Sequence, residues 1–263
     1  MIVKIILGFV YVVPIIIALL FSIQPNNEVG MAPLKLITEN PTIQNYINVL
    51  TTLPVLTYLK NSFIMVIIIV PVQMIIALIC AFAFSFYEFP GKNLLFTIFL
   101  TAMMIPGEVT LIANYTTIQN MGLYNTYAGM TITSFVAVGT IFMLRQHMMS
   151  LPKELWEAAR IDGCREMKYF SKVVVPLSTP IIAAKAITGF IAAYNAYFWV
   201  MLVTSKEELR TIQVGMAQLT QLDAVNYGNV LAGAMLCMIL PIVMFLFGHE
   251  YIVKGMTAGA VKN

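Results

Sequence analysis

Of 263 residues, 60% are hydrophobic and only 10% are charged, whereas ordinary soluble domains carry about 25% charged residues. Such a chain cannot cover a globular surface in water. With a mean hydropathy of +0.86 it reads as an all-α membrane protein, because each span must satisfy its own backbone hydrogen bonds. A net charge of +3 is too small to suggest nucleic acid. Cys80, Cys164 and Cys237 lie far apart, so neither a disulfide framework nor a metal site follows.

Residues 5–23 are 19 without a charge, enough for one span. Lys4 precedes them, as in a signal peptide, but the run is longer than a usual h-region and no A-x-A site follows, so an uncleaved helix is expected. Residues 24–57 are polar and rich in Pro and Asn, an external loop with some local structure. Between Lys60 and Glu88 lie 27 uncharged residues, the second span, with a kink expected at Pro71. The turn YEFPGKN follows. Its Gly91-Lys92 lacks the other Gly and the Ser or Thr of a phosphate loop.

The third span is expected over 94–112, interrupted by Pro106-Gly107-Glu108, with a polar link at 114–126. The fourth covers 127–144 and closes on Arg145 and His147. The fifth covers 180–203, a second external loop 204–229, and the sixth span 230–247. Coarsely, the chain divides into a first helix and loop (1–57), a transmembrane core (58–253) and a tail (254–263).

Residues 150–176, SLPKELWEAARIDGCREMKYFSKVVVP, are the one long polar interruption, with nine of the 27 charged residues. They read as two short helices at an angle. Ser150 is a candidate N-cap, with Pro152 in the first turn. Leu155, Ala158 and Ala159 form a narrow apolar face. Gly163 suits the left-handed conformation that ends a helix. Met167, Phe170 and Val174 would share one face of the second helix, which Pro176 stops. On pattern alone this could equally be a solvated linker between two spans.

Three further constellations stand out. Glu108 is the only acid inside an apparent span. It is either functional, as intramembrane carboxylates tend to be, or an interfacial residue facing outside water. Tyr194, Asn195, Tyr197, Phe198 and Trp199 cluster in the fifth span. They suit a sugar, which has apolar faces and a fringe of hydroxyls, or equally an interfacial aromatic belt. His249-Glu250 opens like a zinc-protease motif, but Val253 stands where the second His is needed, and no GxSxG occurs.

Glu157-Ala158-Ala159, three residues, Gly163, nine residues, Val173, one residue, Val175-Pro176 resembles the EAA loop of binding-protein-dependent ABC importers, with Val for the usual Ile and Leu. YLKNSF, AFAFSFYEFPGKNLLF, MMIPGEVTLI, GLYNTYAGM, FMLRQHMMSLPKEL and VKGMTAGAVK extend the likeness to carbohydrate permeases of the maltose and glycerol-phosphate type. One stretch departs. The family often reads WND, two residues, WP, and here only Asn195 and Trp199 persist.

The resemblance implies a six-span, type I importer permease that does no chemistry itself. It would pair with a second, similar permease, two cytoplasmic ATPase subunits that hold ATP and Mg, and an external solute-binding protein. The first EAA helix (Leu155, Trp156, Glu157, Ala158, Ala159, with Asp162 and Gly163 at its end) would couple to an ATPase, with Leu155, Ala158 and Ala159 seated in its groove. Tyr194, Asn195, Tyr197, Trp199 and Glu108 would line the substrate pathway. With that loop inside, 11 Lys and Arg fall on the inner side and 4 on the outer. Both termini would then be cytoplasmic. The rival reading, an ion-coupled secondary transporter, would call for inverted repeats and midplane ionisable groups, and Glu108 alone meets that.

Overall fold

The structure, a computed structural model, describes residues 2–29, 35–222 and 226–257. The tail set apart above therefore lies outside the described residues from 258 onward. Among the described residues there are helices and no strand. They are α1 (Ile2–Ser22), α2 (Gln44–Thr52), α3 (Val55–Phe86), α4 (Lys92–Ala102), α5 (Gly107–Asn120), α6 (Tyr127–Thr131), α7 (Val138–Met149) and α8 (Lys153–Ile161). Then come α9 (Glu166–Tyr169), α10 (Val175–Leu177), α11 (Thr179–Tyr194), α12 (Phe198–Val203), α13 (Ile212–Leu222) and α14 (Tyr227–Thr257). Two of them, α3 and α14 over Tyr227–Leu246, are each long and apolar enough to cross a membrane. Three bent pairs and the shorter Leu7–Ser22 stretch supply the other apolar segments.

The chain forms two compact units. One comprises Met1–Ser62 and Ser205–Met244. Amide side chains tie its loops down. Asn45 Nδ2 donates to the Ser22 and Gln24 carbonyls at 2.9 and 2.7 Å. Asn61 Nδ2 donates to the Glu208 and Arg210 carbonyls at 2.7 and 2.9 Å. The Asn45 pair satisfies acceptors of the buried Ser22 and Gln24. The expected external loop at 204–229 contains α13 instead. Its Ile212, Val214 and Leu219 are buried, and the ring of Tyr58 lies against Gly215, where no Cβ would fit.

The second unit comprises Phe63–Thr204 and Phe245–Asn263. Here the spans are broken. The third is not one helix: α4 and α5 meet at 97°, and α5 runs on through the expected polar link to Asn120. In the fourth span a single turn of 3-10 helix (Ile132–Ser134) follows α6, and α7 leaves at 44°. The fifth breaks after Tyr194 and resumes as α12. By contrast α3 is continuous through Pro71.

At about 1.5 Å per residue the three breaks lie roughly 16 to 24 Å from the ends of their helices nearest the polar 150–176 loop. They are also neighbours. α4 packs on α7, α7 on α11, and α12 on α5 and α6. Gly139 lets the tip of Met103 lie beside the start of α7. Irregular backbone at membrane depth persists only where protein buries it or where it lines a water-filled cavity. Two carbonyls at or near the break of the fourth span are met by side chains. Gln73 Nε2 of α3 donates to Ser134 O at 2.9 Å, and Trp199 Nε1 donates to Met130 O at 3.2 Å.

Candidate functional site

The polar loop at 150–176 folds as two helices at an angle, with one change at its start. Ser150 does not cap α8. Its hydroxyl donates back to His147 O at 2.7 Å and it closes α7. Pro152 occupies the cap position of α8 with extended backbone, and its fixed φ suits a helix entry. Glu154 in the first turn and Arg160 in the last complement the helix dipole.

The end of α8 is a Schellman turn. Cys164 N–H donates to Ala159 O at 2.8 Å and Gly163 N–H to Arg160 O at 3.0 Å. The motif needs a left-handed residue at Gly163, whose φ is +69°. A Cβ there would touch nothing within 4 Å, so glycine is required by the backbone and not by crowding.

α8 presents two faces. Trp156 and Ala159 turn inward, onto a core of Ala77, Ala81, Phe82, Ile141, Tyr169 and Val174 among others. Glu154, Leu155, Glu157, Ala158, Ile161 and Asp162 are exposed. Ile161 is 86% exposed, extreme for an isoleucine. The outward apolar stripe is therefore Leu155, Ala158 and Ile161. Ala159 belongs to the inner face, because a position one residue on from Ala158 lies about 100° round the helix. Ile161 went unremarked in the sequence, although its i+3 spacing from Ala158 was the available signal.

After the turn, α9 leads into one π turn over Phe170–Val174 and then α10. The π turn holds one extra residue. It brings Tyr169 and Val174, five apart, onto the same core, both fully buried. That shift leaves Met167 exposed, off the face expected for it.

Aromatic rings join the loop to the end of α3. Trp156 lies 4.6 Å from Tyr169 and 6.1 Å from Phe86, centroid to centroid. Phe86 lies 5.6 Å from Tyr169, and Phe82 lies 4.9 Å from Phe170. The Tyr87 hydroxyl donates to the Glu166 carboxylate. That contact, with a smaller effect of burial, raises the Tyr87 pKa above its ordinary value. The bond needs the protonated phenol, so it holds at neutral pH and is lost only as pH rises past that raised value. A recess of about 730 Å³ opens here, lined by Phe86, Tyr87, Trp156, Arg160, Arg165 and Met167 among others. Lys92 is occupied in its own turn, bonded to Tyr87 O and Glu88 at 2.7 and 3.0 Å.

The pathway candidates separate at the breaks. Tyr194 is only 2% exposed and stacks on Phe190 at 5.7 Å, so it is core and offers no surface to a solute. Trp199 is half-buried with its indole donor used on Met130 O. Tyr197 is half-buried, while Asn195 is exposed at the end of α11. Glu108 is exposed in the first turn of α5, just past the 97° bend, so it does not lie partway along one long helix. Among the described residues no group of three His, Cys, Asp or Glu could hold a metal.

A family model described as the inner membrane component of binding-protein-dependent transport systems matches residues 73–257. The chain belongs to this family. It is 31% identical, over 98% of this chain and 93% of the relative, to the arabinooligosaccharides transport system permease protein AraQ of Halalkalibacterium halodurans. It is 31% identical, over 92% and 89%, to the sn-glycerol-3-phosphate transport system permease protein UgpE of Escherichia coli. Its fold matches a chain of a bacterial ABC transporter that imports the acidic polysaccharide alginate (TM-score 0.79, 21% identity, 93% of this chain and 91% of that one). The inner-membrane component is the transport subunit of such systems, and the matched span includes the whole EAA loop, all three breaks and α14 to its end.

Proposed function

We propose that this permease moves a sugar, oligosaccharide or polyol phosphate inward, delivered by an external solute-binding protein and driven by two cytoplasmic ATPase subunits. The ATP and Mg belong to those partners, and this chain holds no cofactor. A second, similar permease completes the passage. The observation that carries this reading is α8: a short helix closed by a Schellman turn whose outward apolar residues, Leu155, Ala158 and Ile161, are exposed. Such a stripe fits a groove on a soluble protein. Related permeases serve arabinooligosaccharides and sn-glycerol-3-phosphate, which supports a polyhydroxylated cargo.

The mechanism is alternating access. ATP-driven approach of the two ATPases moves α8, and the broken helices exchange an inward for an outward opening. Only a cargo bound differently in the two states can be coupled to that change. Asn195 and Glu108, exposed beside the breaks, belong in this reading to the wall of the passage, with the half-buried Tyr197 close by in sequence. An amide offers a hydroxyl both a donor and an acceptor. Asn195→Ala is expected to lower uptake about tenfold, as the loss of one or two hydrogen bonds would, with basal ATPase activity and assembly intact. Unchanged uptake would remove Asn195 from the passage. Both termini and the EAA loop lie in the cytoplasm, from the 11-to-4 basic asymmetry. A membrane-impermeant thiol reagent reaching Arg165→Cys from outside the cell would reverse that orientation.

A further inference from the structure

The EAA loop is covalently continuous with α7 before it and α11 after it, so either could take up the motion of α8. The packing singles out a third helix. Phe86 ends α3, some seventy residues earlier in the chain, yet it holds Trp156 of α8 and Tyr169 of α9 in one aromatic cluster, at 6.1 and 5.6 Å. Phe82, one turn back on α3, takes Phe170 at 4.9 Å. Tyr87, the next residue after α3, is bonded to Glu166. Four residues of the loop are thus fixed to six residues of chain at one helix end. The far side of α8 is left exposed, with the apolar stripe Leu155, Ala158 and Ile161 among charged residues.

From Phe86, α3 runs back without Pro or Gly to Gln73, about 20 Å at 1.5 Å per residue. Gln73 Nε2 holds the Ser134 carbonyl at the break between α6 and α7. Its other side-chain atom, Oε1, lies so close to α11 that a Cβ on Gly189 would come within 3.0 Å of it. One uninterrupted helical rod therefore has the EAA loop clamped at one end and the break of the fourth span hydrogen-bonded along its length.

We infer that Trp156 is a positioning residue for transport: by clamping α8 onto Phe86 it makes α3 the rod that carries the ATPase-driven motion to the Gln73–Ser134 contact. This rests on the proposal that α8 docks an ATPase. Trp156 itself faces away from that partner, so docking and transmission are separable.

The test uses the full transporter purified with its ATPases and reconstituted with binding protein. Trp156→Ala should retain the ATPases and their basal hydrolysis. It should lose stimulation by binding protein, and with it uptake, by about tenfold, within the range that coupling mutations produce. Trp156→Phe keeps a ring against Tyr169 and should restore most of both. Stimulation at the normal level in Trp156→Ala would overturn the inference, as would loss of the ATPases from that variant, which would make Trp156 a docking residue. A second variant does not depend on removing the ring. With the native cysteines replaced, Tyr87→Cys and Glu166→Cys joined through a reducible bis-methanethiosulfonate cross-linker, which spans the length of the lost phenol and carboxylate, should leave uptake unchanged, because the loop and the end of α3 move as one body. Uptake abolished by that cross-link and recovered with reductant would show that they move apart. If α8 docks no ATPase at all, Ala158→Asp will leave the ATPases bound, and that outcome fails the underlying proposal independently of Trp156.

Discussion

Replacing Ala158 or Ile161 with Asp is expected to abolish uptake while the permease still folds and inserts. Both side chains are exposed in this chain, so the carboxylate meets water until a partner covers it. Once α8 seats in a groove, that charge is buried with nothing opposite it, which costs several kcal/mol. A penalty of about 3 kcal/mol already weakens docking more than a hundredfold. The ATPases should therefore be lost or largely depleted on purification, and basal ATPase activity with them. Ala159→Asp is the instructive contrast. Ala159 packs on the internal core with Trp156, so its carboxylate would disturb the loop itself and lower the melting temperature. Affinity capture of the ATPases beside a thermal unfolding curve distinguishes the two. Capture at the normal level in both exposed-site variants would mean that this stripe is not the docking face.

The second large effect is expected at mid-span. Gln73→Glu replaces the amide donor that meets Ser134 O with a carboxylate. Two acceptors then face each other where the backbone is already irregular. The unmet carbonyl costs about 1–3 kcal/mol, and a charged side chain near the centre of a bilayer about 2.5–3.5 kcal/mol on insertion scales. Uptake should fall by well over tenfold at pH 7. Lowering the pH should relieve part of the defect, because a protonated Glu regains a donor for Ser134 O. Gln73→Leu loses only the hydrogen bond and should be milder. Initial uptake rates of both variants across pH 5 to 8 check this. A Glu variant that transports normally at neutral pH would show that the contact does not hold the break.

The EAA loop was legible in the sequence because its polarity contrasts with everything around it and its spacing is fixed from Glu157 to Pro176. Gly163 fell where a left-handed residue was needed for the same reason. The breaks were less so. Pro106-Gly107 marked the first, but nothing in Phe135-Val136-Ala137 or Asn195-Ala196-Tyr197 interrupts a helix by its own chemistry. The break of the fourth span is met by Gln73 and Trp199 reaching across from α3 and α12, and such contacts leave no local trace. α13 was hidden for a similar reason. Its apolar residues look scattered among polar ones until Tyr58 is seen lying on Gly215.

The inner and outer faces of α8 were not separable from sequence either. A nine-residue helix with apolar groups on two sides does not say which is buried, and the deciding neighbour, Phe86, is seventy residues away. The fifth-span cluster divided along the same line. Tyr194 was chosen for its chemistry, but it is only 2% exposed and packs into the core beside Phe190. Asn195 beyond it is exposed because the helix ends there.

The central claim is that this chain is the membrane passage of an ATP-driven, binding-protein-dependent importer. The most direct measurement is uptake by sealed proteoliposomes that contain the permease with the companion permease and ATPases proposed for it. Binding protein loaded with cargo is added outside, ATP and Mg are enclosed inside, and no ion gradient is imposed. Accumulation that requires both the enclosed ATP and the binding protein is the predicted result. Accumulation driven by an imposed proton or sodium gradient, without ATP or binding protein, would contradict the account.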